Sequence, residues 1–450
     1  MRIKQVVVLA DPAKGPSFIP SGLEQLGLQI CDRFPSDGSG LDLLLICDAG
    51  FEQTPSGSAL IHQALSCGCP IVLDPQRCSS VIEEISQTGC LCKETRDELA
   101  AWALYKCLQS DARQLAALQS NKSEMPRYVV TAFEKVQDLR YGENWHQKAA
   151  LYRKQDGLGL HRAKKLNGKE MSYNNMVDAE TVLEMLMDLS HYDGVRVEKP
   201  LSVIVKHANP CGVAYGNTLQ EAYRLSFATD PKSAFGGVIG FNRPVDENTA
   251  RAIGDSFVEV LLAPGFDPKA LKLLTEKKPN RRILDIGDLL QRREELYRGH
   301  YLRSIFGGMM LQDYDTGDIS EWKVVTKRSP TDYETRALRF AWKVAKYVKS
   351  NALVYTSECQ TVGIGSGQVS RVDSARFGAE KAEEHGLCTL GTVAATDSFF
   401  PFRDGLDEAF KAGATAVIHP GGSIRDAEVI DAADEHGMAM VFTGMRHFRH

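Results

Sequence analysis

Lys206 and His207 are neighbouring side chains with the chemistry of an acid–base site, and they follow an apolar run over residues 201–205. Neighbours on a strand point to opposite faces, but where a strand ends the chain can leave that geometry and both side chains can reach one cleft. There an imidazole can act as a general base and an ammonium can stabilise developing negative charge. The turn-forming sequence PCG over residues 210–212 favours this interpretation. A surface lysine beside a packed histidine remains the alternative.

The cysteines of the chain raise the question of a zinc site. The segment after His207 partly matches the zinc-deaminase signature H-x-E…P-C-x-x-C, but Asn209 stands where the signature has glutamate and Ala214 where it has the second cysteine. The Cys-x-Cys pairs at residues 67–69 and 90–92 lack the C-x₂-C spacing that is usual for structural zinc. Buried reduced cysteine behaves as a small hydrophobic residue. We therefore predict no metal site.

Two glycine-rich turns offer places for a ligand. The sequence GIGSGQ over residues 363–368 follows a predicted strand, but its third glycine comes one place too early for the dinucleotide fingerprint G-x-G-x-x-G. We interpret it as a close approach of the backbone to a ligand or a helix. The sequence PGGS over residues 420–423 opens a predicted helix, where free N–H groups favour an anion. Alternatively, Ser423 caps that helix together with Asp426, three residues further on.

The elements that must position these residues alternate between strand-like and helix-like segments, which indicates an α/β architecture. A chain of 450 residues is expected to form about two to four domains. The first block ends at a polar stretch over residues 121–126. Its predicted elements are strands over residues 5–10, 41–48 and 70–73 and helices over residues 58–67 and 94–118.

The later blocks repeat the alternation. A charged stretch over residues 276–293 is predicted to be a solvated helical excursion. The spacing of Thr331 and Glu334 is typical of a capping box, and the apolar residues after it predict one long helix. The remaining predicted elements are strands over residues 201–205, 361–367, 415–419 and 438–443 and helices over residues 371–384, 404–412 and 425–436.

Composition excludes several classes of protein. The net charge of -5 gives no basic footprint for binding nucleic acid. No run of about 18 apolar residues predicts a membrane span, and the first apolar run, residues 6–10, is too short for a signal peptide. Eleven cysteines without framework spacing indicate reduced thiols. We therefore expect a cytoplasmic protein that binds neither nucleic acid nor a membrane.

Ten short motifs, taken together and in order, resemble one family. From about residue 127 to His450 the chain carries RYGEN, SYNN(x₂)DA, KHANPCG, SAFGG, APGF, KSNA, GIGSGQ(x)SRVDSAR, DSFFPFRD, PGGSIRD and MRHFRH. This order resembles the AICAR transformylase region of the AICAR formyltransferase / IMP cyclohydrolase family, in which AICAR is 5-aminoimidazole-4-carboxamide ribonucleotide. The resemblance implies transfer of a formyl group from 10-formyltetrahydrofolate to the amine of AICAR, in purine biosynthesis.

The resemblance also implies a fold. Family members build the transformylase from two cytidine-deaminase-like α/β/α halves without zinc, which agrees with the missing zinc ligands noted above. Here the halves would span residues 126–328 and 329–450, after a small N-terminal α/β domain over residues 1–125. By the same resemblance, the enzyme is a homodimer with active sites at the interface. It would require no metal for its chemistry, and a structural monovalent cation is a further possibility near KSNA.

Residue roles follow by matching motifs. The resemblance makes His207 the general base and Lys206 the group that stabilises the transition state, with Asn351 and Asp404 near the formyl group and the folate. The residues expected to hold AICAR are Arg140, Tyr141, Phe235, Gly236, Glu259, Arg371, Phe399 and Arg446. The residues expected to contact the folate are Val372, Ser423 and Ile424. This assigns the PGGS turn to folate rather than to a phosphate.

The N-terminal block departs from the family. Full-length members begin with an MGS-like cyclohydrolase domain that carries an STGGT-type phosphate loop, KTLHPK, NLYPF and IDIGG followed by LRAAAKN, none of which occurs in this sequence. The interval where the first two would lie is ten residues long, 31–40, and Ser66 or Cys67 stands where the lysine of AAAKN is expected. We therefore expect a truncated, inactive cyclohydrolase-like domain. The alternatives are a bifunctional enzyme with an unrecognised second site, and a non-catalytic regulator that binds nucleotide or folate. Formate with ATP as the formyl donor also stays open, although the sequence has no P-loop.

Overall fold

The computed structural model describes the chain in nine stretches. These are residues 5–9, 29–31, 43–46, 55–73, 75–119, 125–154, 157–192, 195–276 and 278–450. The chain divides into two units, which we describe separately. They are Met1–Glu134 with Arg153–Asp156, and Lys135–Tyr152 with Gly157–His450.

The N-terminal unit contains a parallel sheet of four strands in the order β2-β1-β3-β4. The strands are β1 (Gln5–Leu9), β2 (Gln29–Cys31), β3 (Leu43–Ile46) and β4 (Ile71–Val72). The helices are α1 (Pro55–Ser66), α2 (Pro75–Thr88) and α3 (Lys93–Leu118). The three strands and two helices predicted in this block are confirmed, whereas α2 was not predicted. The interval over residues 32–40, where the family has its phosphate loop, lies outside the described residues.

The second unit contains two six-stranded mixed sheets. The strands up to the end of the first sheet are β5 (Phe133–Leu139), β6 (Ala149–Lys154), β7 (Lys164–Asn167), β8 (His191–Tyr192), β9 (Val195–Arg196), β10 (Leu201–Lys206), β11 (Asn209–Tyr215), β12 (Val238–Phe241), β13 (Val260–Ala263) and β14 (Arg282–Asp285). The later strands are β15 (His300–Ile305), β16 (Gly308–Asp313), β17 (Lys323–Val324), β18 (Leu353–Thr356), β19 (Thr361–Gly365), β20 (Val393–Thr396), β21 (Ala416–His419) and β22 (Ala439–Phe442).

The two sheets share one topology. The first runs β11-β10-β12-β13-β14-β7 and the second β19-β18-β20-β21-β22-β17. Each begins with an antiparallel hairpin, continues with three parallel strands and ends on an antiparallel edge strand. The predicted α/β class is confirmed. The same strand order occurs twice in the second unit, and the predicted boundaries of the two halves stay a prediction.

Helices cover these sheets. They are α4 (Tyr173–Leu189), α5 (Leu219–Thr229), α6 (Pro231–Ala234), α7 (Glu247–Ile253), α8 (Pro268–Glu276), α9 (Arg293–Leu296), α10 (Asp332–Ala345), α11 (Arg371–Glu384), α12 (Asp404–Lys411) and α13 (Asp426–Glu435). The four predicted helices of the third block correspond to α10, α11, α12 and α13. Helices α4 and α10 contribute to one apolar core with inward-facing residues of both sheets, so the two halves share a core.

One prediction of secondary structure was wrong. The charged stretch over residues 276–293 is not a solvated helix, because β14 lies inside it as a buried strand between β13 and β7. Ile283 is fully buried, and Arg281 and Arg282 are each 3% exposed. Arg281 donates through its terminal guanidinium nitrogens to the carbonyls of residues 254, 256 and 274, whereas its Nε has no hydrogen-bond partner among the described residues. Charge alone was therefore a poor guide, since arginine can be buried when its donors find acceptors.

The predicted capping box is present at the start of α10. The Thr331 hydroxyl accepts from the Glu334 N–H, and the Glu334 carboxylate accepts from the Thr331 N–H at 2.8 Å. The same buried carboxylate also accepts from Arg328 at 2.8 Å and from the Thr415 hydroxyl at 2.7 Å. Burial alone would raise the pKa of Glu334, but these hydrogen bonds outweigh it and lower that pKa to about 2. Glu334 thus joins α10 to the start of the strand β21.

Glu334→Gln should lower the free energy of unfolding near neutral pH by about 1–3 kcal/mol, because an amide cannot replace a charged acceptor of several hydrogen bonds. Since the folded pKa lies below the ordinary value of 4.5, the carboxylate stabilises fully above that value and loses its effect as the pH falls toward 2. Denaturant unfolding at several pH values should show the gap between wild type and variant shrinking below pH 4.5. Glu358→Gln, which breaks an exposed pair with Arg336, is the control and should cost less than about 1 kcal/mol. A gap that stays constant with pH would contradict the assignment.

Candidate active site

The Lys206–His207 pair lies at the tip of the β10–β11 hairpin. Lys206 is the last residue of β10, and its ammonium donates to the carbonyl of Phe235 at 2.7 Å. His207 and Ala208 then take positive φ angles of 57° and 55°. The chain therefore leaves strand geometry directly after Lys206, as the sequence predicted for the end of this strand. The His207 side chain is exposed.

The carboxylate of Asp178, on α4, holds this turn. It accepts from the His207 N–H at 3.2 Å and from the Ala208 N–H at 2.6 Å. Burial raises the pKa of Asp178, and the two N–H donors act against that rise. Asp178 belongs to the SYNN(x₂)DA motif, but the sequence analysis gave it no role.

Asn209 connects this turn to the second half of the unit. Its side-chain oxygen accepts from the Lys349 N–H at 3.0 Å, and its amide donates to the Ser366 hydroxyl at 3.2 Å. The KHANPCG motif therefore lies against both KSNA and GIGSGQ, which come from a different sheet. Sequence analysis did not single out Asn209, because its partners are distant in the chain.

Asn351 and Arg371 form the next part of the site. The Asn351 amide donates to the carbonyls of Gln368 and Val369 at 3.0 and 3.1 Å, and its oxygen accepts from Arg371 at 3.1 Å. Both amide atoms of Asn351 are thus used to fix its orientation. The side chain is held between KSNA and the start of α11.

The guanidinium of Arg371 is buried and bonds to four groups. Besides Asn351, it donates to the Thr396 hydroxyl at 2.6 Å, to the Phe399 carbonyl at 2.9 Å and to Asp397 at 2.9 Å. Asp397 is fully buried and also accepts from the Ala352 N–H at 3.2 Å. Arg371 therefore uses its donors to hold the DSFFPFRD segment against KSNA.

Asp404 is the first residue of α12 and is exposed, with its carboxylate accepting from the Gly405 N–H at 2.7 Å. A Cβ added at Gly405 would lie 3.8 Å from the Cγ of Arg371, so this helix begins directly beside Arg371. Phe399 is half-buried next to it. The carboxylate of Asp404 is thus free to meet a ligand at the edge of the Arg371 cluster.

A cleft of about 330 Å³ is lined by residues 256–259 and 278–282, together with Arg140 and Lys169. Its charged lining is mostly basic, and consists of Arg140, Lys169, Glu259, Lys278, Arg281 and Arg282. Glu259 pairs with the buried Arg282 at 2.5 Å. Arg140 is exposed and stacks on Tyr141, with 5.5 Å from its Cζ to the ring centroid. An anion with a hydroxyl-bearing sugar would find both guanidinium donors and a carboxylate acceptor here.

The SAFGG turn joins this cleft to the lysine. Phe235, whose carbonyl accepts from Lys206, lines a neighbouring cleft of about 390 Å³ together with Phe257. Gly236 has a φ of 74° and donates its N–H to the Phe257 carbonyl at 2.8 Å. An added Cβ at Gly236 would lie 3.2 Å from the Phe257 ring, so this position favours glycine on both counts.

The PGGS turn does not offer free N–H groups. The Gly421 N–H is bonded to His419 at 3.1 Å, and those of Gly422 and Ser423 to Asp426 at 2.7 and 3.1 Å. The interpretation of this turn as an anion site is therefore wrong. Instead of Ser423 capping the helix, the Asp426 carboxylate closes the turn, and Ile424 is left fully exposed.

The C-terminal segment lies beside this turn. Gly444 donates to the Pro420 carbonyl at 3.1 Å, and Arg446 is exposed with its Cζ 4.3 Å from the Phe448 ring centroid. Val372 is half-buried in the first turn of α11. Among the predicted residues, hydrogen bonds thus link Lys206 to Phe235 and join Arg371 to Asn351 and Phe399. Arg446, Ser423 and Ile424 lie in or beside the PGGS turn.

The glycines of GIGSGQ make a close approach to a helix, as predicted. A Cβ added at Gly363 would lie 2.1 Å from the carbonyl oxygen of Gly378, and one at Gly365 would lie 1.9 Å from that of Ser374. Only glycine allows β19 to pack this closely on α11. The motif thus has a packing role in addition to the ligand role that its neighbours suggest.

Two of the described cysteines of the N-terminal unit have structural roles. Cys69 is buried in the apolar core, and Cys92 caps α3 by accepting from the Thr95 N–H at 3.4 Å. Across the described stretches, no three histidine, cysteine or acidic side chains are grouped to hold a metal ion. Within the same stretches, no helix combines the length and the apolar character needed to cross a bilayer.

Comparison with known proteins adds to this geometry. A family model described as the AICARFT/IMPCHase bienzyme matches residues 68–381. A relative from Persephonella marina, the bifunctional purine biosynthesis protein PurH, is 44% identical over 441 residues, covering 95% of this chain and 82% of the relative. Proteins of the same name from Acidithiobacillus ferrooxidans and Myxococcus xanthus are each 46% identical, covering 85% and 84% of this chain and 73% of each relative.

The two α/β sheets, the polar cluster between them and these similarities define an enzyme of purine biosynthesis. The chain belongs to the AICARFT/IMPCHase bienzyme family. The family resemblance inferred from the ordered motifs is therefore confirmed.

Proposed function

We propose that the chain is a monofunctional AICAR formyltransferase. It transfers the formyl group of 10-formyltetrahydrofolate to the 5-amino group of AICAR, giving the formylated nucleotide FAICAR and tetrahydrofolate, the penultimate step of IMP synthesis. The observation that carries the proposal is the cluster of contacts around the Lys206–His207 turn: Lys206 donates to Phe235, Asn209 accepts from Lys349 of KSNA, and Asn351 of KSNA accepts from Arg371. Each part of that cluster corresponds to a step of the reaction.

The amine of AICAR attacks the formyl carbon, and His207 takes the proton that this nitrogen must lose. The Lys206 ammonium stabilises the negative charge that develops on the formyl oxygen. The bond from the formyl carbon to the folate nitrogen then breaks, and that nitrogen leaves with a proton. Asn351 and Asp404 are proposed to orient the formyl group and the folate.

The basic cleft is the proposed nucleotide site. The exposed Arg140 and the Glu259 carboxylate face one cavity, which suits the phosphate and the ribose hydroxyls of AICAR. Tyr141, Phe235, Gly236, Arg371 and Phe399 are proposed to complete this pocket, and Val372, Ser423 and Ile424 to contact the folate. We further propose a homodimer with the site at its interface, which would bring the PGGS turn and Arg446 of one copy to the other.

We also propose that the N-terminal unit has no cyclohydrolase activity. The family's phosphate-loop motif and its AAAKN lysine are absent from the sequence. Ser66 or Cys67 stands at the lysine position, and the Ser66 hydroxyl bonds to the carbonyl of Gln63 and contacts Cys67. Without a phosphate cradle, FAICAR has no evident binding site there. The second candidate is a bifunctional enzyme, which the names of the relatives favour.

One incubation distinguishes these candidates. Purified protein is mixed with AICAR and 10-formyltetrahydrofolate, and tetrahydrofolate, FAICAR and IMP are followed together. FAICAR that accumulates without IMP is the expected result. IMP formation would establish the bifunctional enzyme, and AICAR binding without turnover would point to a regulator or, if formate with ATP restores turnover, to another formyl donor.

Arg446→Lys should raise the dissociation constant for AICAR about tenfold, because a point charge cannot replace the bidentate fork of a guanidinium. Arg446 is exposed and stacks on Phe448, so the substitution should leave the fold intact. Isothermal titration with AICAR measures the effect. Arg425→Lys is the control, because Arg425 lies just after the PGGS turn and pairs with Glu428. Unchanged affinity of the Arg446 variant would contradict its phosphate role.

A further inference from the structure

We propose that Asp178 is a positioning residue that holds the His207 imidazole in place through the backbone of the turn. The inference rests on the proposed formyl transfer, in which His207 is the base. Asp178 itself would touch neither substrate. Its effect would pass through the two N–H groups that its carboxylate accepts.

The turn needs such a support. Among the described residues, only His207 and Ala208 combine a side chain with a positive φ angle, at 57° and 55°. This left-handed region is unfavourable for residues that carry a Cβ, and it persists where surrounding contacts fix the backbone. Two such residues in succession, at the tip of a hairpin, would otherwise relax and move the imidazole.

Asp178 supplies contacts that fix the backbone of this turn. Each of its carboxylate oxygens accepts from a different N–H, one at 3.2 Å from His207 and one at 2.6 Å from Ala208. An ionised carboxylate is purely an acceptor and can satisfy both donors. An asparagine of the same shape offers one acceptor and one donor, so it would satisfy one N–H and oppose the other.

Helix α4 is a firm base for this carboxylate. The helix begins with a capping box in which Ser172 and Asn175 bond to each other's backbone. The residue after Asp178, Ala179, is fully buried, as is Val182 one turn further on. The carboxylate is therefore fixed relative to the shared core, and the turn is fixed relative to the carboxylate.

The second side of the turn is held independently. Asn209 bonds to the Lys349 N–H and to the Ser366 hydroxyl, so loss of Asp178 should release His207 without detaching the hairpin. This predicts a defect in catalysis with little loss of folding. Asp178→Asn should therefore lower kcat about 10- to 100-fold, since a displacement of the base on the order of 1 Å can have an effect of that size. The KM for AICAR should change less than about threefold on the same argument.

A double-mutant cycle with His207→Ala tests whether Asp178 acts through the imidazole. In the His207→Ala background, Asp178→Asn should change the residual kcat less than about twofold, because the group that it positions is gone. If the two effects multiply instead, Asp178 acts by another route and the inference is overturned. Glu247→Gln, which breaks a surface pair with Arg251 on α7, is the control for an acid-to-amide change and should leave kcat unchanged.

A second measurement separates this inference from the proposed function. Amide hydrogen exchange of a peptide that covers residues 206–209 should be faster in Asp178→Asn than in wild type, whereas peptides of α4 and β10 should be unchanged. This readout does not depend on activity. If wild type makes no FAICAR but exchange at the turn accelerates in the variant, formyl transfer fails while Asp178 still holds the turn. If wild type is active and neither exchange nor kcat changes in the variant, the positioning role is wrong.

Discussion

His207→Ala should lower kcat for FAICAR formation by about 10²–10⁴-fold, which is the usual contribution of a positioned general base. His207 is exposed at the tip of the β10–β11 hairpin, and its only bond in the described structure is made by its backbone N–H to Asp178. Removing the imidazole should therefore leave the fold and the nucleotide cleft intact. Single-turnover rates measure the chemical step directly, and AICAR titration measures binding.

The control for this variant is His300→Ala. His300 is also a partly exposed histidine on a hairpin, paired with Asp313 at 2.9 Å, and it has no proposed part in the reaction. Its loss should leave kcat unchanged. If AICAR binding rather than turnover collapses in His207→Ala, the histidine belongs to the nucleotide site and the assignment as base is wrong.

Local patterns predicted α1, α3 and α10 to α13, because the signals lie within each of these helices, whereas α2 and α4 to α9 were not predicted. The capping residues Thr331 and Glu334 mark the start of α10, and Leu338, Ala341 and Trp342 face the core as their spacing predicted. The stretch over residues 276–293 failed for the opposite reason. Arg281 and Arg282 bond to carbonyls and a carboxylate of residues outside this stretch, and no local pattern shows such partners.

The duplicated topology was implied by the family resemblance, but no local pattern in the sequence showed it. Glycines on the outer strand of each hairpin approach the following helix closely: a Cβ at Gly212 would lie 1.9 Å from the Ser226 oxygen, as one at Gly365 would from that of Ser374. In both halves, a glycine thus allows the outer strand to pack closely on the following helix. The order of strands in a sheet depends on pairings between strands that are distant in the chain. Many sequences can satisfy such pairings, so the local pattern does not show the order.

In the candidate site, motifs identified some residues, and contacts in the structure identified others. The ordered motifs identified the family and named Lys206, His207 and Asn351, but they left Asp178 and Asn209 without a role. Asn209 accepts from an N–H that is 140 residues away in the chain. A residue that acts by holding another one carries no distinctive local signal, whereas a reactive pair such as Lys-His does. Residues that position a site are therefore found from contacts.

Arg371→Met should strongly lower the free energy of unfolding of the second unit. It keeps much of the length and apolar character of the side chain but removes its bonds to Thr396, Phe399, Asp397 and Asn351. Asp397 is fully buried, so it would be left as an uncompensated charge. Breaking a buried pair in this way costs about 3–5 kcal/mol.

Arg371→Lys separates charge from geometry. A lysine keeps the positive charge beside Asp397, but its single ammonium cannot reach four acceptors in the directions of a guanidinium. We expect a smaller loss of stability than for methionine, together with weaker AICAR binding, because Asn351 and the Phe399 segment would no longer be held. Denaturant unfolding followed by tryptophan fluorescence, and AICAR titration of the folded variants, measure the two effects.

Arg376→Met, on the same helix, is the matched control. Arg376 pairs with Glu408 at 3.1 Å, but its side chain is 54% exposed, against 8% for Arg371 in its pair with Asp397. An exposed pair contributes at most about 1 kcal/mol. If the two methionine variants unfold at the same denaturant concentration, the buried network does not stabilise the fold. If Arg371→Met unfolds early while Arg371→Lys keeps both stability and AICAR affinity, charge alone is sufficient, and the four-way geometry around Arg371 is not what holds Asn351 in the site.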